Sequence, residues 1–180
     1  MPTLGILTWR PAADHPELLA EPVAAAIAAL GLDAHVAGID PTLADTAEFC
    51  AAYGVGLEQS ANCVVVAGRR GEQLTTAACV VLATDRADVN KTVRRLLDVR
   101  KLSFAPMDDA VARTSMAYGG ITPVGLPGDW PVLVDTAVVA QEWVVIGSGR
   151  RDSKLVLPGS DLAKLPGAQV LELTIARTQT

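Results

Sequence analysis

The sequence predicts a mixed α/β domain, and three features carry that prediction. Two apolar runs, Ala61 to Ala67 and Ala77 to Ala83, contain Cys63-Val64-Val65-Val66 and Cys79-Val80-Val81-Leu82, with a Gly-containing link at Arg70-Gly71 between them. Such runs around a glycine turn read as a hairpin, and apolar residues on both faces place it in a covered sheet or barrel. Helical spacing comes next: Val89, Val93, Leu96 and Leu97 share one face, with Lys91, Arg94 and Arg95 largely elsewhere. Strands and helices do not alternate as regular βαβ units, so the sheet is mixed rather than doubly wound.

The remaining elements follow in chain order. Leu4 to Trp9 reads as a short strand. Leu19, Val23, Ile27 and Leu30 repeat at helical spacing, and Gly31 stops that helix. Asp33 to Ile39 reads as a strand, and Asp45 or Thr46 caps a helix ending at Gly54. Asp85 or Asp88 caps the amphipathic helix. Arg100 to Phe104 is a strand, and Asp108 caps a helix running to about Met116. Val132 to Val134, Trp143 to Ile146 and Leu155 to Leu157 are strands; Ser160 or Asp161 opens a short helix before a last strand at Val170 to Leu173.

Composition narrows the class. The chain has 180 residues, 50% hydrophobic but 4% aromatic, so one core of ordinary size must be built from Ala, Val, Leu and Ile. No apolar run is long enough to cross a bilayer, and Met1-Pro2-Thr3-Leu4-Gly5 shows no signal-peptide pattern. Cys50, Cys63 and Cys79 form no Cys-x-x-Cys pair, which implies neither a disulfide framework nor a zinc site and fits a reducing cytoplasm. A net charge of −5 argues against broad binding to nucleic acid but leaves room for a small basic site. Cations pair at Arg69-Arg70, Arg94-Arg95, Arg100-Lys101 and Arg150-Arg151; each pair either faces phosphate or is ordinary solvated surface.

Few side chains suggest chemistry. There is no Gly-x-Ser-x-Gly, no Walker loop and no His-Glu-x-x-His. His35 lies in a strand and reads as structural; His15 lies in a polar loop. Cys63 and Cys79 read as small hydrophobes. The candidate that remains is Tyr118-Gly119-Gly120-Ile121-Thr122-Pro123-Val124-Gly125-Leu126-Pro127, with three glycines and two prolines in one loop. Glycine lets a ligand approach the backbone and proline stiffens the chain, so the loop is either a tight connector or a holder of an ester or phosphate oxygen. Asp135, at a strand end, either orients a ligand or bonds the backbone. Gly147-Ser148-Gly149 either lines a pocket beside the loop or only turns the chain.

Taken in order, these segments resemble the YbaK/EbsC family, the prolyl-tRNA synthetase-associated editing domain. The resemblance rests on Gln59 to Val66, Ala77 to Ala83, Asp88-Val89-Asn90-Lys91, Lys101 to Ala105, Gly119 to Gly125, Leu133-Val134-Asp135 and Ile146 to Gly149, and covers about residues 16 to 175 of a single free-standing domain spanning 1 to 180. It implies a mixed, barrel-like β-sheet packed by helices. It implies a trans-acting aminoacyl-tRNA deacylase that hydrolyses the ester of mischarged tRNA by substrate-assisted water attack. Editing of this kind exists because one pocket discriminates poorly among small side chains. By the resemblance, Asn62, Gly119 and Gly120 are catalytic, and Ile121, Thr122, Pro123, Gly125, Asp135, Gly147, Ser148 and Gly149 bind substrate. The partners implied are the 3′ acceptor end of aminoacyl-tRNA and an aminoacyl-tRNA synthetase, without cofactor, metal or membrane. One position departs: family deacylases usually place a lysine where Asn62 aligns, and no lysine lies between Gln59 and Gly68. Asparagine keeps hydrogen bonding but loses the charge, so the alternative is an aminoacyl-tRNA-binding protein with weak or no hydrolysis.

Overall fold

A computed structural model describes residues 1–175. Its strands are β1 (Arg10–Pro11), β2 (His35–Gly38), β3 (Ala61–Arg70), β4 (Gln73–Leu82), β5 (Lys101–Phe104), β6 (Val132–Asp135), β7 (Val144–Gly147), β8 (Ser153–Leu157) and β9 (Ala168–Leu171). Its α-helices are α1 (Glu21–Leu30), α2 (Thr46–Tyr53), α3 (Arg94–Leu96), α4 (Met107–Thr114) and α5 (Thr136–Val139). One sheet runs β1-β2-β8-β7, all antiparallel; the other runs β5-β3-β4-β6-β9, with β6 parallel to both β4 and β9. The mixed α/β expectation holds. The sheets do not close into a barrel: among the described residues one parallel bridge, Ser60 to Val145, joins them.

Period-2 alternation explains how a core poor in aromatics is filled. Val80 and Leu82 of β4, Val132 and Val134 of β6, Val144 and Ile146 of β7, and Leu155 and Leu157 of β8 face a central cluster with Val23 and Ile27 of α1. The alternate residues point outward. Val145 and Val156 pack with Trp9 and Phe49 behind the smaller sheet, while Cys79, Val81 and Leu133 pack with Val66 and Val93 behind the larger. Strands β4, β6, β7 and β8 are therefore covered on both faces, which is why they read as apolar runs. Full burial of each Val or Leu contributes about 1.5–3 kcal/mol.

The hairpin forms as expected, in unbroken register from Ala61 opposite Leu82 to Arg70 opposite Gln73, with Gly71 at φ 60° in the turn. Gly31 and Gly54 both end helices in the left-handed conformation. Several expectations are corrected. Leu4 to Trp9 is not a strand: Gly5 turns the chain at φ 62°, and the Trp9 indole donates to the Leu4 carbonyl at 3.0 Å. The amphipathic segment begins as a π-helical turn, Val89–Val93, before α3, and Asp88 caps it by accepting from the amides of Lys91 and Thr92. Asp108 lies inside the first turn of α4, whose cap position is Pro106. The helix α5 went unread because four residues are too few for a periodic signal.

Candidate active site

Asn62, at the start of β3, and the first half of the glycine–proline loop face one another across a cavity of about 460 Å³. Gly119, Ile121 and Gly147 line its wall together with Tyr118, Lys154 and Phe104. That volume falls within the range of small-molecule sites.

Each side of the cavity has a local cause. Asn62 lies near the amino end of α2, and the Thr46 hydroxyl donates to its Oδ1 at 2.7 Å. The amide NH2 of Asn62 is thereby left to serve the cavity. Opposite, the loop is bound to the turn after β7: the Ala117 amide donates to the Gly149 carbonyl, and the Gly149 amide donates to the Gly120 carbonyl, each at 2.8 Å. Only glycine tolerates this approach. A Cβ at Gly147 would lie 2.6 Å from the Gly120 oxygen, and one at Gly120 would lie 2.5 Å from the Arg150 oxygen. Arg151 ties the loop entrance to the other wall, donating to the Tyr118 carbonyl at 3.2 Å and the Pro41 carbonyl at 3.3 Å, with Asp45 at 3.7 Å.

Among the described residues, the Gly120 amide is taken by the Ala117 carbonyl at 2.9 Å, whereas the amides of Gly119 and Ile121 have no partner. Open amides on one loop can hold a developing oxyanion. The cavity side of the loop thus combines a glycine that shapes the wall, Gly120, with lining residues whose donors have no partner among the described residues, Gly119 and Ile121.

The other expected residues lie elsewhere. Thr122, Pro123 and Val124 are buried, and Gly125 (φ 86°) packs beneath the start of α1, where a Cβ would lie 2.5 Å from the Pro22 carbonyl. Asp135 is buried and accepts from the amides of Ala137 and Leu173 at 3.0 and 2.8 Å, capping α5 and tying down the chain after β9. Ser148 bonds Ser153 Oγ at 2.7 Å and accepts from the Arg150 amide, so its hydroxyl stabilises the turn. Gly149, at φ 82°, packs its Cα against Ala20 and Val23. Of the expected set, Asn62, Gly119, Ile121 and Gly147 line the cavity.

Lys154 is the residue that the sequence reading passed over. It is 7% exposed, lines the cavity from β8, and has no ion pair among the described residues; its Nζ lies 5.2 Å from the Phe49 ring centroid. Burial pulls its ammonium below the usual lysine range, against the opposing pull of Cys50 and Asp45, and Arg151 lowers it further. A lone lysine inside an apolar strand was the available signal, since buried lysine is rare without a partner or a task. Burial also pushes the Cys63 and Cys79 thiols up, which keeps them unreactive. Among the described residues no three His, Cys, Asp or Glu side chains group as metal ligands, and no helix is long and apolar enough to cross a membrane.

Solved structures share this architecture. A candidate trans-editing enzyme for prolyl-tRNA synthetase superposes with a TM-score of 0.74 at 24% identity, over 87% of this chain and 97% of its own. The hypothetical protein APE2540 superposes with a TM-score of 0.75 at 26% identity, over 86% of this chain and 100% of its own. The model of the aminoacyl-tRNA editing domain matches residues 40–165, a span that holds Asn62, the whole glycine–proline loop and Lys154. The chain therefore belongs to the aminoacyl-tRNA editing domain family, the YbaK-type family that its ordered motifs resemble.

Proposed function

We propose that this chain is a trans-acting aminoacyl-tRNA deacylase that releases a mismatched small amino acid from the 3′-terminal adenosine of tRNA. The observation that carries the reading is the cavity lined by Asn62, by Lys154, and by Gly119 and Ile121, whose amides have no partner among the described residues. Water adds to the ester carbonyl carbon, and the amides of Gly119 and Ile121 receive the negative charge on the carbonyl oxygen. The bond from that carbon to the ribose oxygen then breaks. The proton lost by the water passes through the neighbouring ribose hydroxyl to the departing oxygen, leaving free amino acid and uncharged tRNA. Each fixed donor to such an oxyanion is worth roughly 3 kcal/mol. Lys154 supplies from β8 the positive charge that other family members carry at the position of Asn62, and Asn62 orients water or ribose.

Asn62 supports a second reading, in which the chain binds aminoacyl-tRNA with little hydrolysis, because its Oδ1 is already engaged by Thr46. The deciding measurement is ester loss from tRNAs carrying mismatched small amino acids, with native protein and with Asn62→Lys. Acceleration by native protein for at least one charged tRNA is expected. Binding without acceleration, with activity appearing in Asn62→Lys, establishes the second reading, and absence of both binding and acceleration removes both.

A further inference from the structure

Two further hollows adjoin the cavity through shared lining residues. A second hollow of about 470 Å³ shares Asn62, Val64 and Phe104 with it, and a third of about 910 Å³ shares Asn90, Leu102 and Ser103 with the second. The third is lined by Arg69, Lys91, Arg94, Arg100 and Lys101, five of the fifteen Lys and Arg residues in a chain of net charge −5, and by no Asp or Glu. These five come from β3, the π-turn, α3, the connection after it and β5. Among the described residues none of them forms an ion pair, whereas Arg70 beside them is paired with Asp98 at 2.7 Å and Arg150 with Asp152 at 2.8 Å.

Protection of a sheet edge accounts for Lys101, since β5 is an edge strand, but not for the other four. Unpaired cations converging from separate elements on one groove make a positive potential suited to a polyanion. The middle hollow contains Asp85 and Asp88. Asp88 is turned to the π-helix, where its carboxylate accepts from the Lys91 and Thr92 amides and the Thr92 hydroxyl. At the junction with the first cavity stands Phe104, 69% exposed, in a chain with only two phenylalanines. Cations along a groove with an aromatic face at its end are the elements of single-strand recognition.

We propose that the groove of Arg69, Lys91, Arg94, Arg100 and Lys101 binds the sugar–phosphate backbone of the RNA whose 3′ end enters the cavity, with Phe104 stacking a base at the junction. The inference rests on the editing reading for the identity of its polyanion. Contacts of this kind are to phosphate, so they hold the RNA in register without reading its sequence.

The test uses an uncharged RNA hairpin with a single-stranded 3′ CCA end, so no hydrolysis is needed and a failure of deacylation leaves it readable. Affinity is measured by fluorescence anisotropy at several salt concentrations for native protein, Arg94→Glu/Arg100→Glu, Phe104→Ala and Arg10→Glu. The double variant is expected to weaken binding at least tenfold and to flatten the dependence of log K on log salt by about 1.5, as two lost phosphate contacts require. Phe104→Ala is expected to weaken binding to the hairpin but not to the same hairpin without its CCA end. Arg10→Glu, an exposed cation on the other sheet, is expected to bind as native. Equal affinity and salt slope in the native and double-variant proteins would overturn the proposal, as would failure of excess inorganic polyphosphate to displace the RNA from the native protein.

Discussion

The two halves of the glycine–proline loop use the same residue types for different ends. From Tyr118 to Ile121 the chain borders the cavity, and the amides of Tyr118, Gly119 and Ile121 have no partner among the described residues. From Thr122 to Pro127 it runs under α1, where glycine serves close packing and the side chains of Thr122 and Val124 are fully buried. Composition alone cannot tell these apart, because a close approach of backbone to backbone and of backbone to ligand need the same missing Cβ. What separates them is whether a neighbouring element covers the segment.

The largest effect is expected where the cavity half meets its cation. Lys154→Met should lower kcat for deacylation at least a hundredfold while raising Tm by about 2–4 °C at neutral pH, the shift that roughly 1 kcal/mol makes in a chain of this length. The pH dependence has a definite sign. The folded-state pKa of Lys154 is lowered, so between that value and the ordinary lysine value of 10.5 the unfolded chain binds more protons. Native stability should therefore rise with pH across that window, the penalty of the buried charge being fully present below it, and Lys154→Met should lose this slope. Urea denaturation at a series of pH values measures it.

The covered half should respond in the opposite manner. Gly125→Ala places a Cβ against the Pro22 carbonyl at a φ of 86° and should cost about 2–3 kcal/mol, with kcat per folded molecule retained below the lowered Tm. An equal fall in kcat would erase the distinction between the halves. The smallest change is Thr122→Val. Its Oγ1 is buried without a partner among the described residues, so removal of the hydroxyl should stabilise by about 1 kcal/mol and leave kcat untouched. Thermal unfolding beside the deacylation assay separates the two readouts.

Most of the framework was legible, for physical reasons that differ by element. The hairpin β3–β4 shows as two Val-rich runs because β4 is buried on both faces and β3 is at least half-buried over Ala61–Gly68, and α1 and α2 show their ends through glycines in the left-handed conformation. The π-turn was hidden because its apolar spacing imitates an α-helix, and Leu4 to Trp9 misled because Trp9 is buried by its own indole contact rather than by strand pairing. Among the residues that line the cavity, Asn62 and Gly119 were legible through ordered motifs. Asp135 and Ser148 were placed there because a carboxylate or hydroxyl at a strand end looks the same whether it serves a ligand or a backbone amide. Lys154 was missed because it lies 92 positions from Asn62 in the chain, and the two strands' neighbourhoods come together through the Ser60–Val145 bridge and the core shared by the sheets.

The unbroken register of β3 acts as a ruler. Asn62 borders the cavity and Gly68 the basic groove, six residues apart on one strand, which is about 20 Å at 3.3 Å per residue. Side chains alternate across a strand, so this distance can change only in steps of two residues without turning every later side chain to the opposite face. Evolution of this scaffold toward a longer or shorter reach is therefore quantised, at about 6–7 Å per step, and each step must be matched in β4 to keep the hairpin paired.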